Sequence, residues 1–295
     1  MTQHAQRIAF VGLGAMGYPM AGHLARANFQ TTVYNRSSTK AEQWTAEYCG
    51  DHAATPAAAA QNADAVCLCV GNDDDVRSVV YGDTGVLATL PRGGMLIDHT
   101  TASAELAREL GAACEARGIG FVDAPVSGGQ AGAENGQLTV MAGGAQSDFD
   151  RAYSIMECYA KSIRRMGAVG TGQLTKMVNQ ICIAGVVQGL SEALHFADKA
   201  GLDGHEVIAA ISKGAAQSWQ MDNRHSTMIA GEFDFGFAVD WMRKDLGIVL
   251  QTANDVGASL PLTALVDQFY GDVQNMGGGR WDTSSLIQRL RRLSD

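Results

Sequence analysis

The first half of the chain alternates short apolar runs with stretches in which apolar residues recur at helical spacing. Ile8–Val11, Thr31–Tyr34, Ala65–Val70, Met95–Asp98, Gly120–Asp123 and Leu138–Ala142 read as strands. Ala15–Ala27, Lys40–Tyr48, a start at Thr55-Pro56 and Ala102–Arg117 read as the helices between several of them. Strand following helix in this way predicts a doubly wound, largely parallel sheet. After about Met166 the character changes. Gly172 to Ala200 holds no Pro and few breakers and reads as one long helix; Gly204–Lys213, Ala238–Val256 and Leu262–Met276 read as further helices, set apart by Gly201, Gly257 and Pro261. The expected architecture is α/β, with an N-terminal doubly wound sheet over residues 1–166 and an all-helical C-terminal domain over residues 167–295.

Composition supports a folded chain: 46% of residues are hydrophobic and 18% charged, too apolar for disorder and too mixed for a membrane-embedded protein. Gly supplies 35 of 295 residues without a collagen period, which implies many tight turns and close backbone approaches. Lys plus Arg number 22 and Asp plus Glu 31, so the net charge is 22 − 31 = −9, opposite in sign to a nucleic-acid footprint. Arg289, Arg291 and Arg292 form the one basic cluster and fit the last turns of an amphipathic helix. The six cysteines contain no CxxC and read as buried free thiols in a reducing compartment. No run approaches the roughly 18 apolar residues of a membrane span, and no cleavage pattern follows the apolar segment Ile8 to Met16. A cytoplasmic protein without nucleic-acid or membrane partners is expected.

Candidate chemistry begins directly after the first strand. Gly12-Leu13-Gly14-Ala15-Met16-Gly17 matches G-x-G-x-x-G where a dinucleotide-binding fold requires it. Gly12 allows the tight turn, Gly14 admits a pyrophosphate to the backbone, and Gly17 lets the helix pack on the strand. About 20 residues on, where an NAD-preferring fold places an acid, the sequence reads Asn35-Arg36-Ser37-Ser38. Without a carboxylate to repel a 2′-phosphate, and with a guanidinium beside hydroxyls, this segment favours NADP; the alternative is an exposed Arg36 and use of both NADP and NAD. Val70, Thr100 and Thr101 close strands at the edge where ligands bind in such sheets and are candidate cofactor contacts, although either threonine also suits a helix cap. Asp73-Asp74-Asp75 is explained by a helix N-terminus, and no metal is expected.

Lys176 falls near the start of the long helix, and residues 177 to 191 carry no charge. The positive helix end and burial would both lower a lysine pKa, as proton transfer at neutral pH requires. Asn179 and Gln180 follow at i+3 and i+4, giving three polar groups on one face of an apolar helix. Lys176 is therefore a candidate acid/base, the alternative being a lysine snorkelling to solvent. Upstream, Ser127-Gly128-Gly129 offers a hydroxyl and approachable N–H groups suited to a carboxylate, or a plain turn.

Together these residues resemble the β-hydroxyacid dehydrogenase family, of the 3-hydroxyisobutyrate dehydrogenase and tartronate semialdehyde reductase type. The resemblance runs nearly end to end. Its most specific parts are Val11 to Gly17 with Met20, Asp123-Ala124-Pro125-Val126-Ser127-Gly128-Gly129, Gly136-Gln137-Leu138-Thr139, Gly170-Thr171-Gly172-Gln173 leading to Lys176, and Lys244-Asp245-Leu246. It implies a Rossmann domain, a helical domain around a long interdomain helix, and homodimers or homotetramers. By position it implies Lys176 as catalytic acid/base, Ser127, Gly128 and Gly129 on the substrate carboxylate, Lys244 beside the cofactor, and Phe237 and Asp245 as site residues of the helical domain. The family often has paired asparagines after the lysine; Asn179 followed by Gln180 looks more like the tartronate semialdehyde reductase branch. The expected reaction is hydride transfer between NADP or NAD and a small 3-hydroxy acid or semialdehyde. A non-catalytic NADP-binding sensor, or an oxidative decarboxylase resembling the 6-phosphogluconate dehydrogenases, is the alternative; the latter needs a larger helical domain.

Overall fold

A computed structural model describes residues 6–292. The chain divides into two compact units, one ending at Lys176 and the other starting at Met177.

In the first unit β1 (Arg7–Val11), α1 (Gly17–Arg26), β2 (Gln30–Tyr34), α2 (Ser38–Glu47), β3 (Asp51–His52), α3 (Pro56–Ala60), β4 (Ala65–Leu68), α4 (Asp73–Val80), β5 (Met95–Asp98), α5 (Ala104–Glu115) and β6 (Gly120–Asp123) alternate along the chain. They are followed by β7 (Val126–Ser127), α6 (Gly129–Glu134), β8 (Leu138–Gly144), α7 (Gln146–Met156), β9 (Ala160–Gly167) and the start of α8 (Thr171–Lys199). The strands form one sheet in the order β3-β2-β1-β4-β5-β6-β8-β7, with β9 also on β8. Strands β1 to β6 pair in parallel, whereas β8 runs antiparallel to β6 and β7. The strand order turns back between β1 and β4, so the edge beyond their C-terminal ends is where a ligand binds in such sheets.

Side chains alternate across each strand, and both faces are covered. Ile8, Phe10, Cys67 and Ile97 pack on one face with Met20 and Leu24 of α1 and Ile155 of α7. Ala9, Val11, Val66, Leu68 and Leu96 pack on the other with Val76 and Val80 of α4 and Leu106 and Leu110 of α5. This double burial is why the strands read as unbroken apolar runs. The Thr55 hydroxyl accepts from Ala58 N at 3.0 Å, starting α3 at Pro56 as the Thr-Pro pair predicts.

The edge strand β9 has no counterpart in the sequence pattern. Its residues are half-buried or exposed and include Lys161, Arg164 and Arg165, the charged dress of an edge strand rather than an apolar run. Because β9 pairs with β8, and the first turn of α8 is bonded to β6, the unit extends past the expected boundary at Met166 to Lys176.

The second unit is helical: the rest of α8, then α9 (Gly204–Ile211), α10 (Trp219–Ala230), α11 (Val239–Val256), α12 (Pro261–Asn275) and α13 (Leu286–Arg292). Asp203 and Ser218 accept from N–H groups at the starts of α9 and α10, and Gly231 and Gly257 end α10 and α11 in the left-handed conformation. Ala184 and Val187 of α8 share a core with Val239, Met242 and Leu246 of α11 and with Val266, Tyr270 and Val273 of α12. Against the expectation that no run is apolar enough, α8 has the length and apolar composition of a membrane-crossing helix. Ala184, Val187, Leu190, Leu194 and Ala197 of this helix are buried inside the protein, whereas Val178, Val186 and Phe196 are exposed. Cys182 is exposed as well, as is Cys49, so not all the cysteines are buried as expected.

Candidate active site

The glycine-rich turn joins β1 to α1. Gly12 has φ +99°, and a Cβ there would lie 2.2 Å from the Cys69 carbonyl oxygen. Gly17 is equally constrained, since its Cβ would run into the Gly12 carbonyl. Gly14 differs: nothing lies within 4 Å of a Cβ built on it, so its lack of a side chain answers to space outside the protein. No side chain caps α1 at Met16; in its first turn Tyr18 N donates to Gly14 O at 3.1 Å and Met20 N to Met16 O at 3.3 Å, and Pro19 has no N–H. A tight turn and an open glycine at the head of a helix fit the pyrophosphate of a dinucleotide.

Asn35 holds this turn from the side. Its Oδ1 accepts from Leu13 N at 2.9 Å, and its Nδ2 donates to Ser37 O at 3.1 Å. Arg36 projects from the end of β2 with its side chain 91% exposed, and its Nη1 lies 3.6 Å from Asp75 Oδ1. The acidic triplet splits among three partners. Asp73 accepts from Ser103 N and Oγ at 3.0 and 2.6 Å, Asp74 lies 3.7 Å from Arg77, and Asp75 faces Arg36.

Val70 and Thr100 meet at adjacent strand ends, where Val70 N donates to the Thr100 hydroxyl oxygen at 3.1 Å. Thr100 is buried and its N–H donates to Asp98 Oδ1 at 2.9 Å, so its side chain serves the fold; Thr101 is half-buried. The neighbouring His99 ring is buried between the Ala124 carbonyl at 2.7 Å and the Tyr159 hydroxyl at 2.8 Å. The carbonyl requires Nδ1–H, so Nε2 accepts from Tyr159. Burial pushes the His99 pKa down to about 4 and keeps the ring neutral.

Asp98 and Asp123 end neighbouring strands in register and are both fully buried. Burial raises Asp98 to about 7, against hydrogen bonds from Thr100 that favour the carboxylate, and raises Asp123 to about 6, against N–H donors from Gly170, Gln173 and Gly172. A carboxyl whose pKa is raised on folding adds stability below its unfolded value of about 4, and that stability is lost as pH rises through the folded pKa. Asp98→Asn, which keeps the acceptor for Thr100 N, should therefore raise the melting midpoint by roughly 3 °C or more at pH 8 and distinctly less at pH 5. Thermal melts at the two pH values check this; an equal shift at both would overturn it.

Ser127 closes β7, and Gly128 and Gly129 follow with φ of +135° and +62°. That left-handed backbone opens α6 and is the reason glycine stands at both positions.

Lys176 lies in the second turn of α8 and is only 7% exposed. The snorkelling lysine of the alternative reading is not what the fold holds. Asp123, however, changes the electrostatic argument, because its carboxylate accepts from Gly170 N at 2.7 Å and from Gln173 N at 2.9 Å. A negative charge thus meets the positive end of α8, and burial rather than the helix dipole is what sets Lys176 apart. Neither the Asp123 contact nor the buried Gln173 stood out as functional in the sequence. The sequence offers Thr171 as a cap for a helix read from Gly172, whereas the helix starts at Thr171, whose hydroxyl donates to Ala168 O, and the first turn is satisfied from Asp123 instead.

In the second unit Asn179 Nδ2 donates to Gln180 Oε1 at 2.8 Å, and Gln180 Nε2 donates to Asp245 Oδ2 at 2.6 Å. Asp245 is buried and its Oδ1 lies 2.8 Å from Lys244 Nζ. The two amides of α8 and the Lys244-Asp245 pair of α11 thus form one polar chain, a link that separate sequence positions could not show. Phe237 is half-buried; its N–H donates to Asp282 Oδ2 at 2.9 Å and its carbonyl accepts from Thr283 N at 2.9 Å.

Two family models match the chain. One, the NAD binding domain of 6-phosphogluconate dehydrogenase, covers residues 7–170; the other, the NAD-binding domain of NADP-dependent 3-hydroxyisobutyrate dehydrogenase, covers residues 170–290. An uncharacterised oxidoreductase of Shewanella frigidimarina is 60% identical over 97% of this chain and 98% of its own length. A 3-hydroxyisobutyrate dehydrogenase-like protein of Arabidopsis thaliana is 38% identical over 100% of this chain and 88% of its own. The crystal structure of a 3-hydroxyisobutyrate dehydrogenase from Salmonella typhimurium superposes with a TM-score of 0.86 at 31% identity, over 96% of this chain and 99% of that one.

Proposed function

The chain belongs to the β-hydroxyacid dehydrogenase family, and on that premise we propose that it interconverts a small 3-hydroxy acid and its semialdehyde, with NADP preferred over NAD. The nicotinamide cofactor, when bound, exchanges a hydride with the alcohol carbon of the substrate. The observation that carries the proposal is Lys176, a lysine only 7% exposed at the start of α8 in a chain that also has an open phosphate cradle.

In this reading the Lys176 amine takes the proton from the substrate hydroxyl during oxidation and returns it during reduction. Ser127 and the backbone at Gly128 and Gly129 bind the substrate carboxylate, which turns an encounter into a fixed orientation. Gln180, whose amide is taken up by Asn179 and Asp245, aligns Asn179, which orients the polar substrate. Gly12, Leu13, Gly14, Ala15, Met16 and Gly17 hold the pyrophosphate, with Lys244 serving the cofactor. Small size and a carboxylate define the substrate class. Gln180 in place of a second asparagine favours a semialdehyde that carries a further polar group, such as tartronate semialdehyde.

Reduced-nicotinamide absorbance with purified protein, NADP or NAD, and a panel of 3-hydroxyisobutyrate and tartronate, methylmalonate and succinate semialdehydes tests this. One fast, selective substrate is expected. Silence across the panel from protein that still binds NADP would turn the reading toward a cofactor-binding sensor. The cofactor arm has its own variant. Arg36→Ala should lower the NADP-to-NAD ratio of kcat/KM by roughly tenfold or more, the worth of one charge-assisted hydrogen bond to the 2′-phosphate. An unchanged ratio would remove Arg36 from cofactor choice.

A further inference from the structure

We propose that Asp123 and Gln173 are positioning residues for Lys176, seating the first turn of α8 so that the lysine amine is presented to the substrate oxygen. This rests on the acid/base reading of Lys176. Asp123 is the last residue of β6 and fully buried. Its two oxygens accept from Gly170 N at 2.7 Å and Gln173 N at 2.9 Å, so one carboxylate spans the first turn of the helix. The seat is cut to that carboxylate by glycine: a Cβ on Gly143 would lie 2.5 Å from Asp123 Oδ1, and one on Gly172 2.8 Å from Oδ2.

Gln173 makes the second anchor. It is buried, its Nε2 donates to Thr100 O at 2.7 Å and its Oε1 accepts from Ala102 N at 3.1 Å. The start of α8 is thereby fixed to the end of β6 and to the segment after β5. Lys176 follows Gln173 by three residues, one helical turn further along the same face. From Asp123 the backbone runs through Ala124-Pro125-Val126 to Ser127, the proposed carboxylate clamp. One buried side chain therefore sets the helix that bears the proton-transferring group against the strand end that leads to the substrate's anchor.

Stability alone is a poor account of this arrangement. Thr171 stands at the helix start but its hydroxyl donates to Ala168 O, and the first turn is held instead by a buried carboxylate that carries a desolvation penalty, registered in its raised pKa of about 6. What the distant acid supplies, and a local cap does not, is a fixed relation between two elements.

The test compares Asp123→Asn, Gln173→Met and Lys176→Ala in the full chain. The isosteric Asn loses the charge and turns one acceptor into a donor facing an N–H, and Met removes the amide at similar volume. Three quantities are read: the NADPH dissociation constant from the fluorescence of its reduced nicotinamide, the melting midpoint, and kcat and KM with the panel substrate that the parent turns over fastest. The proposal expects kcat to fall roughly ten- to hundredfold in both seat variants, as a displacement of about 1 Å would cause, while NADPH affinity stays within about twofold at an assay temperature below melting. Parental kcat in folded Asp123→Asn, even with a lowered midpoint, would overturn it and leave a structural cap. If Asp123→Asn does not fold, Gln173→Met decides in the same way. Parental turnover in Lys176→Ala would remove the acid/base reading itself, whereas its loss there with parental kcat in the seat variants removes only the positioning proposal.

Discussion

Lys176→Ala is expected to lower kcat by roughly a hundredfold or more while NADP still binds with close to parental affinity. The lysine is only 7% exposed, and among the residues assigned to the reaction it is the group able to give and take a proton at the substrate oxygen. Its removal takes away general acid/base catalysis but leaves the glycine-rich turn, the Asn35 brace and the strand ends around Val70 and Thr100 as they are. Lys176→Arg should be nearly as inactive, because a guanidinium keeps its charge and does not release a proton at neutral pH. Initial rates together with a fluorescence titration of NADPH decide the matter. Turnover within about threefold of the parent would place proton transfer on another group or on water.

The second large effect separates two glycines of one motif. Gly12→Ala should destabilise the first unit by about 2–4 kcal/mol and abolish cofactor binding, since the new methyl would meet the Cys69 carbonyl at 2.2 Å on backbone at φ +99°. Gly14→Ala should leave the melting midpoint nearly unchanged, because its methyl meets no protein atom within 4 Å. It should nonetheless weaken NADP binding roughly tenfold or more, by standing where the pyrophosphate approaches. Melting and titration of the two variants check both halves. A stable Gly12→Ala that binds NADP, or a Gly14→Ala that binds like the parent, would break the assignment of the turn.

Much of the fold was legible because its elements are extreme in pattern. Strands β1, β4, β5 and β6 are buried on both faces and read as apolar runs, and α8, without proline, reads as one helix. Strand β9 escaped because an edge strand carrying Lys161, Arg164 and Arg165 has neither an apolar run nor clean alternation. The two-residue strands β3 and β7 are too short to have a period at all. The site was legible wherever chemistry is local. The glycine spacing, the segment after β2 and a lone lysine in an uncharged stretch are all sequence features. What could not be read was which distant groups complete one another. Asn35 appears in sequence as a cofactor position, yet its side chain braces the Leu13 N–H; Thr100 appears as a contact, yet its hydroxyl joins two strand ends. Asp123 looks like the head of a turn motif, and only the folded chain brings the N–H groups of Gly170 and Gln173 to it.

The division of the chain inside α8 bears on how relatives can be recombined. The two family models meet at residue 170, which invites a crossover there when halves are exchanged between homologues. Such a chimera would take β6 from one parent and the turn from Thr171 to Lys176 from the other, so a buried acid and the helix start it grips would come from different histories. Any parental difference in backbone spacing at that junction would fall on the reacting end of the helix. A crossover after Lys176 keeps grip and helix start in one inheritance, and it leaves the Gln180–Asp245–Lys244 chain whole in the other.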